Sequence, residues 1–436
     1  MNLFAERNTR IDTENAFKVG PHIVHVEQKK GAVIKLNLGE PDFAVPEHIK
    51  EEIKRQLDLD NTHYCDPKGL LSLRKAISNQ INETRGLKTN PEKIVVFPGG
   101  KPSIGLSQQV YCEPGDEVIY PSPGFPIYES FIRYVRALPV PLHLEESANF
   151  TFSPEELANL ITPKTKLIYI NFPSNPTGSV AGQALLEETA RVILERSHPN
   201  VRIYSDEIYE NIIFDGHQHR SISSVPAMSE HTIIASGFSK TFAWTGGRIG
   251  YAVFPTVEEA DVFKTLNINY FSCVPPYNQE AAREALENPL SKQVVKKMVE
   301  TFEARRNLIW QQINDIPGIT CQKPGGAFYL FPNISGVCEN LDLIEKHDRL
   351  PIEQQSSPAN LFQMFALYEH QVAVMDRKSF GQIGADGKHF LRLSIAAEQS
   401  VLEKGVLRLK AASEDLSGLD KFLNERPDLI ASWASN

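Results

Sequence analysis

The feature that most constrains this chain is a series of short apolar runs, each of strand length and several ending in polar side chains. They occupy residues 93–97 (KIVVF), 117–120 (EVIY), 166–172 (KLIYINF), 201–207 (VRIYSDE), 232–238 (TIIASGF) and 250–254 (GYAVF). Several are apolar on both faces, as strands covered by helices on both sides must be. Helical patterns separate them. Ile49, Ile53 and Leu57 recur every four residues, Leu73, Ile77 and Ile81 continue the pattern, and LLEETARVILERS at 185–197 reads as an amphipathic helix between two strands. Strand and helix alternating in this way predict an α/β unit with a mostly parallel sheet over residues 45–290.

Beyond residue 290 the pattern changes. A long charged helix is expected over 292–313, followed by strand candidates at 327–332, 372–376 and 390–396 and a helical tail. This predicts a smaller α+β domain. Residues 335–360 are polar and contain Pro and Ser, which reads as an insertion or mobile loop. Periodicity does not place the segment VIKLNLGEPD (33–42).

Composition narrows the function classes. The 436 residues include 45 Lys and Arg against 54 Asp and Glu, a formal net charge of −9. That balance argues against nucleic acid or an anionic membrane as the main partner. No apolar run approaches the ~18–20 residues of a membrane span. The charged first ten residues do not resemble a secretory signal, so a cytoplasmic protein is expected. Five cysteines (Cys65, Cys112, Cys273, Cys321, Cys338) form no CxxC pair and read as buried free thiols. The histidine pairs His22/His25 and His217/His219 read as loop residues, and no metal site is expected.

Polar residues gather at the ends of the β-runs, where ligands bind in open α/β sheets. Asn171 and Ser174–Gly178 follow the run at 166, Asp206, Glu207 and Tyr209 that at 201, and Ser236, Ser239 and Lys240 that at 232, with Arg248 eight residues further on. Taken singly, Asn-Pro-Thr-Gly is a turn and Asp206 a helix cap. Lys240 differs. An amine flanked by apolar residues just past a buried strand is desolvated, which lowers its pKa and makes it nucleophilic.

The motifs LGEPD (38–42), HYCDPKG (63–69), FPGGKP (97–102), PSPGFPIY (121–128), SNPTG (174–178), SDEIY (205–209), SGFSKTFAWTGGRIGY (236–251), GGAFYLFP (325–332) and FLRLSIA (390–396), in this order, resemble the class I/II aminotransferases, and most nearly the bacterial aspartate and prephenate aminotransferase group. The resemblance implies the aspartate-aminotransferase fold (fold type I of the pyridoxal-phosphate enzymes). That fold has a large domain (45–290) around a mostly parallel seven-stranded sheet, and a smaller domain built from 1–44 and 291–436. It also implies pyridoxal 5′-phosphate as cofactor and ping-pong transfer between an amino acid and a 2-oxo acid.

The same resemblance assigns roles. Lys240 would hold the cofactor aldehyde as an imine and move the Cα proton. Asp206 would pair with the protonated ring nitrogen. Asn175 and Tyr209 would bond the ring oxygen, and Phe125 would stack on the ring. Arg248, Ser239 and the Gly100–Lys101–Pro102 backbone at a helix start would hold the phosphate, with Tyr64 reaching in from a neighbouring subunit of a homodimer. Arg392 would grip the substrate α-carboxylate, and Gly39 would let the N-terminal segment pass close to it. Lys101 matches a lysine that reaches the second carboxylate of acidic substrates, which favours aspartate or glutamate as donor. Several positions depart from the family pattern, Asp376–Arg377–Lys378 among them, where Pro-Gly is frequent before Ser-Phe-Gly. Pro102 removes a backbone donor, and Gly124 and Gly247 stand where aromatics are frequent, which predicts a wider substrate pocket. A β-elimination lyase would keep the same cofactor residues. A ligand-sensing regulator would need a DNA-binding module of ~60–80 residues ahead of LGEPD, where 37 residues stand.

Overall fold

The computed structural model describes residues 3–12 and 14–426. Its centre is a seven-stranded sheet in the order Ile94–Phe97, Gly250–Val253, Thr232–Gly237, Arg202–Asp206, Thr165–Asn171, Glu117–Ser122, Leu138–His143. Every pairing is parallel except those of Gly250–Val253, which runs antiparallel to both neighbours. The expected α/β architecture is therefore present, with all six apolar runs in one sheet.

Side-chain alternation along these strands builds two separate cores. Val95, Phe97, Leu167, Tyr169, Ile233 and Ala235 face one layer, packed with Ile104, Tyr128, Ile132 and Phe263 from the covering helices. Ile94, Val96, Ile234, Tyr251 and Val253 face the other, against Ile49, Leu73, Ile77, Ile81 and Ala281. Ile168, Ile170 and Ile203 extend that second face into the largest cluster, beneath helix Gln183–Arg196. Leu57, expected on the apolar face of helix Glu47–Asp58, is exposed instead. Glu52 and Gln56 are the buried residues of that turn, and Glu52 accepts bonds from Arg55 and Gln56.

A three-stranded antiparallel sheet (Met375–Asp376, Leu391–Ser394, Tyr329–Leu330) lies apart from the first. The segment that periodicity did not place lies beside it, in a two-stranded sheet of its own. Ile34–Lys35 pairs in parallel with Val372–Ala373, and Ser394 N–H donates to Leu36 O at 2.8 Å. This brings Leu38–Asp42 alongside Arg392.

Three expectations are corrected. Residues 335–360 are largely helical, over Ser335–Asn340 and Leu343–Asp348, because Val337, Cys338, Leu341 and Leu343 supply a buried face within the polar sequence. His22 and His25 lie within helix Asn15–Lys30, where His22 Nδ1 is 2.8 Å from the Tyr368 hydroxyl. Cys112, Cys321 and Cys338 are buried, but Cys65 and Cys273 are only half-buried; all five are free thiols. Among the described residues no helix is long and apolar enough to cross a membrane.

Candidate active site

Register places the chemistry. On three adjacent parallel strands Asn171 pairs with Asp206, and Asp206 with Ala235, so the carboxyl ends of these strands stand side by side. The sheet strand that ends at Gly237 runs straight into the short helix Phe238–Thr241, which carries Ser239 and Lys240. Asn171 Nδ2 donates to Asp206 O at 3.0 Å, and its Oδ1 accepts from Asn175 N–H at 3.1 Å. The Ser174–Gly178 turn is thus tied to the strand ends.

These ends open into a cavity of about 490 Å³. Gly39, Gly100, Lys101, Phe125, Asn175, Asp206, Tyr209, Ser239, Lys240, Arg248 and Arg392, all expected from the sequence, line it. Two expected residues do not. Pro102 sits in the first turn of helix Lys101–Tyr111 and subtracts one N–H from its start. Tyr64 is 87% exposed on a loop braced by Asp66, which accepts from Lys68 N–H and Arg74.

The ionisable groups are strongly perturbed. Burial pushes the Asp206 carboxyl up to about 6, even though Tyr128 O–H donates to it at 2.6 Å and opposes the rise. Among the described residues no cation forms an ion pair with Asp206. Desolvation lowers Lys240 to about 8, while the Glu14 and Glu40 carboxylates oppose the change. Its amine donates to Gly39 O at 2.5 Å. Such shifts are typical of functional sites.

Arg392 is buried beneath the aromatic faces of Tyr329 and Phe380, 4.5 and 4.8 Å from their centroids. It donates to Asn175 Oδ1 at 3.0 Å and to Asn37 O at 2.6 Å, and its buried Nε has no partner. Tyr209 and Tyr329 share a hydrogen bond of 2.8 Å between hydroxyls. At the other end, Arg248 donates to Thr245 O at 2.7 Å, and Gly99, with φ of +91°, lies so close to its guanidinium that any Cβ would collide with it.

The expected widening at Gly124 and Gly247 is not found, and neither residue lines the cavity. A Cβ at Gly247 would strike the Trp244 indole, which fills that space, and one at Gly124 would strike Pro121 O. Sequence reasoning also missed Glu14, Phe17, Glu40 and Tyr329 in the lining, and Tyr128 against Asp206. Tyr128 and Tyr329 lie inside motifs already singled out; Glu14 and Phe17 carried no local signal. His219 Nε2 lies 2.9 Å from Glu207, and His219, Glu207 and Glu210 converge on one point outside the cavity. Arg85 is bonded to both carboxylates and, against the opposing effect of burial, holds Glu207 well below the usual carboxylate range.

A site at the carboxyl ends of parallel strands, with a desolvated lysine facing a buried carboxylate, defines a class of enzyme. Residues 32–409 match the family model "Aminotransferase class I and II". The chain is 35% identical to aromatic-amino-acid aminotransferase 2 of Thermococcus litoralis, covering 87% of this chain and 91% of that protein. It is also 35% identical to a probable aspartate/prephenate aminotransferase of Aquifex aeolicus, covering 88% and 92%. The solved aspartate aminotransferase of Rhizobium meliloti superposes with a TM-score of 0.85 at 29% identity, covering 95% of this chain and 99% of that one. The chain belongs to the class I and II aminotransferases and transfers amino groups between amino acids and 2-oxo acids.

Proposed function

We infer that this aminotransferase works with pyridoxal 5′-phosphate, held in the cavity by Lys240, Asp206, Asn175, Tyr209, Phe125, Ser239, Arg248 and the backbone at Gly100–Lys101. The observation that carries the reading is Asp206, a buried carboxylate with a raised pKa and no ion-pair partner among the described residues, facing a cavity that also holds a desolvated lysine. A cationic ring nitrogen relieves that cost. The donor set at the opposite end suits a phosphate: Arg248, Ser239 and the free N–H groups of a helix start.

When bound, the cofactor supplies an aldehyde that exchanges with amines and a ring that withdraws electrons from Cα. Asp206 would hold the proton on the ring nitrogen. Lys240, with its pKa near 8, would take the proton from the substrate Cα and pass it to the carbon that keeps the amino group, and in the second half of the cycle would move a proton the opposite way, onto Cα of the new amino acid. Arg392 still has an unpaired buried Nε and grips the α-carboxylate, fixing which Cα bond points at Lys240. Asn175 spends its Oδ1 on Arg392, so its amide nitrogen is what it offers the ring oxygen. Lys101, on the cavity wall, is the cation that a second carboxylate would meet.

The protein is proposed to act as a cytoplasmic homodimer of two-domain subunits (45–290, with 1–44 and 291–436), in which the exposed, braced Tyr64 reaches the partner's phosphate. The test is an amino-donor screen with 2-oxoglutarate, following cofactor absorbance. Donor-dependent bleaching that a 2-oxo acid restores supports the reading. Ammonia and a 2-oxo acid formed from one amino acid without an acceptor would replace transamination by elimination.

A further inference from the structure

We propose that Glu14 sets the substrate preference of this enzyme: it is a built-in counter-ion of Lys101 that the second carboxylate of an acidic substrate must displace. The proposal rests on the cofactor and substrate placement given above.

Glu14 occupies the N-cap position of helix Asn15–Lys30, where Ser, Thr, Asp or Asn side chains ordinarily bond their own helix. Here it makes no capping bond. It forms an ion pair with Lys101 on the cavity lining, its side chain only 18% exposed against 46% for the lysine. Residues 12 and 15 are each tied to other segments. Asp12 exchanges two hydrogen bonds with Ser130 Oγ, at 2.9 and 2.8 Å. Asn15 Nδ2 donates to Ser379 Oγ at 3.0 Å, and Val19, Ile23 and Val26 anchor the helix in the main core. Side-chain rotation of Glu14 would release Lys101 while the anchors at residues 12 and 15 stay in place.

The charge pattern explains what this does. Arg248, Arg392 and Lys240 are taken by phosphate, α-carboxylate and the cofactor, so Lys101 is the cation left for a substrate side chain. Glu14 cancels it. A second acid, Glu40, also lines the cavity and accepts a hydrogen bond from Thr245. Apolar side chains of Ala16, Phe17, Leu38 and Phe125 also line the cavity, and Lys101 lies over the rings of Phe17 and Phe125 at 5.6 and 5.9 Å. A neutral or aromatic side chain enters with the pair intact. A second carboxylate meets a like charge until Glu14 rotates away, so part of its attraction to Lys101 goes into breaking the existing pair.

The experiment compares Glu14→Gln, which keeps shape and removes charge, with the parent holoenzyme. Single-turnover half-reactions with aspartate and phenylalanine are followed by cofactor absorbance. Binding of maleate, an unreactive dicarboxylate, and of 3-phenylpropionate is measured by calorimetry. The aspartate-to-phenylalanine ratio of kcat/KM should rise about two- to fivefold, the scale of a partly exposed ion pair. The ratio of maleate to 3-phenylpropionate affinity should rise with it. Glu14→Ala should move both ratios the same way, and adding Lys101→Met to Glu14→Gln should abolish the gain. Unchanged or lowered ratios beside normal turnover would overturn the role of Glu14. Absence of any donor-dependent change in cofactor absorbance in the parent protein would instead overturn the cofactor reading.

Discussion

Replacing Asp206 with Asn should make the cofactor-free protein more stable and the enzyme nearly inactive. The carboxyl is raised from 3.8 to about 6, chiefly by burial. At about 1.4 kcal/mol per pKa unit, its charged form costs the cofactor-free fold about 3 kcal/mol at neutral pH. The sign follows from proton counts. Between pH 3.8 and 6 the folded state binds more protons than the unfolded state, so stability falls as pH rises through that window, and the full cost persists above it. Asn carries no charge, and its Oδ1 still accepts from Tyr128. The variant should therefore gain about 2–3 kcal/mol at pH 7.5 and about half as much at pH 5. Turnover should drop by at least about 10²–10³, the usual loss when one preorganised electrostatic group is removed. Reversible urea unfolding of the cofactor-free protein at both pH values, beside donor-dependent turnover, tests the two halves together. A variant no more stable than the parent at pH 7.5, or a gain that does not shrink toward pH 5, would refute the argument that this carboxylate is kept at a cost for a cationic partner. Near-parental turnover would refute its role.

Borohydride reduction of the holoenzyme followed by peptide mapping should fix the cofactor to Lys240, and Lys240→Ala should abolish turnover while the fold survives; labelling of a different lysine would refute the assignment. Because desolvation lowers Lys240 to about 8, the rate at which cofactor-free protein reacts with an added aldehyde should rise with pH and level off above about 8; a midpoint near the ordinary 10.5 would contradict this. Mixing inactive Tyr64→Ala and Lys240→Ala subunits should restore partial activity, since a hybrid dimer contains one intact site; full activity from a strictly monomeric protein would exclude the shared site.

The sequence was most legible where the fold is most local. Each apolar run became a sheet strand because alternation along it feeds two cores, and its polar end residues faced the cavity because adjacent parallel strands end in register. The edge strand Leu138–His143 went unread. Its two prolines, Pro139 and Pro141, disguise it, yet they are tolerated because one edge of the strand has no partner in the sheet. The Gly247 expectation failed for a different reason. A single position suggested an empty space, but the indole that fills it arrives from three residues earlier, at Trp244. Residues 335–360 misled because four buried apolar side chains were enough to dock two short helices in an otherwise polar stretch.

The two halves of the site differ in how the chain builds them, and this decides what a sequence can show. Asp206, Ser239, Lys240 and Arg248 lie within 43 residues of one another, on consecutive strands and the turns that follow them, so spacing alone reports their proximity. The half proposed for the substrate is assembled from distant segments. Arg392 is held by Asn37 and Asn175, 355 and 217 residues away, and Lys101 by Glu14 at the tip of a helix packed in another core. No periodicity links such pairs; only the pairing of Ile34–Lys35 with Val372–Ala373 and the docking of helix Asn15–Lys30 bring them to one cavity. The half proposed for the cofactor is therefore constrained by the sheet itself. The substrate half hangs on side chains at the ends of separately anchored segments, where a residue such as Glu14 can change charge without disturbing a strand.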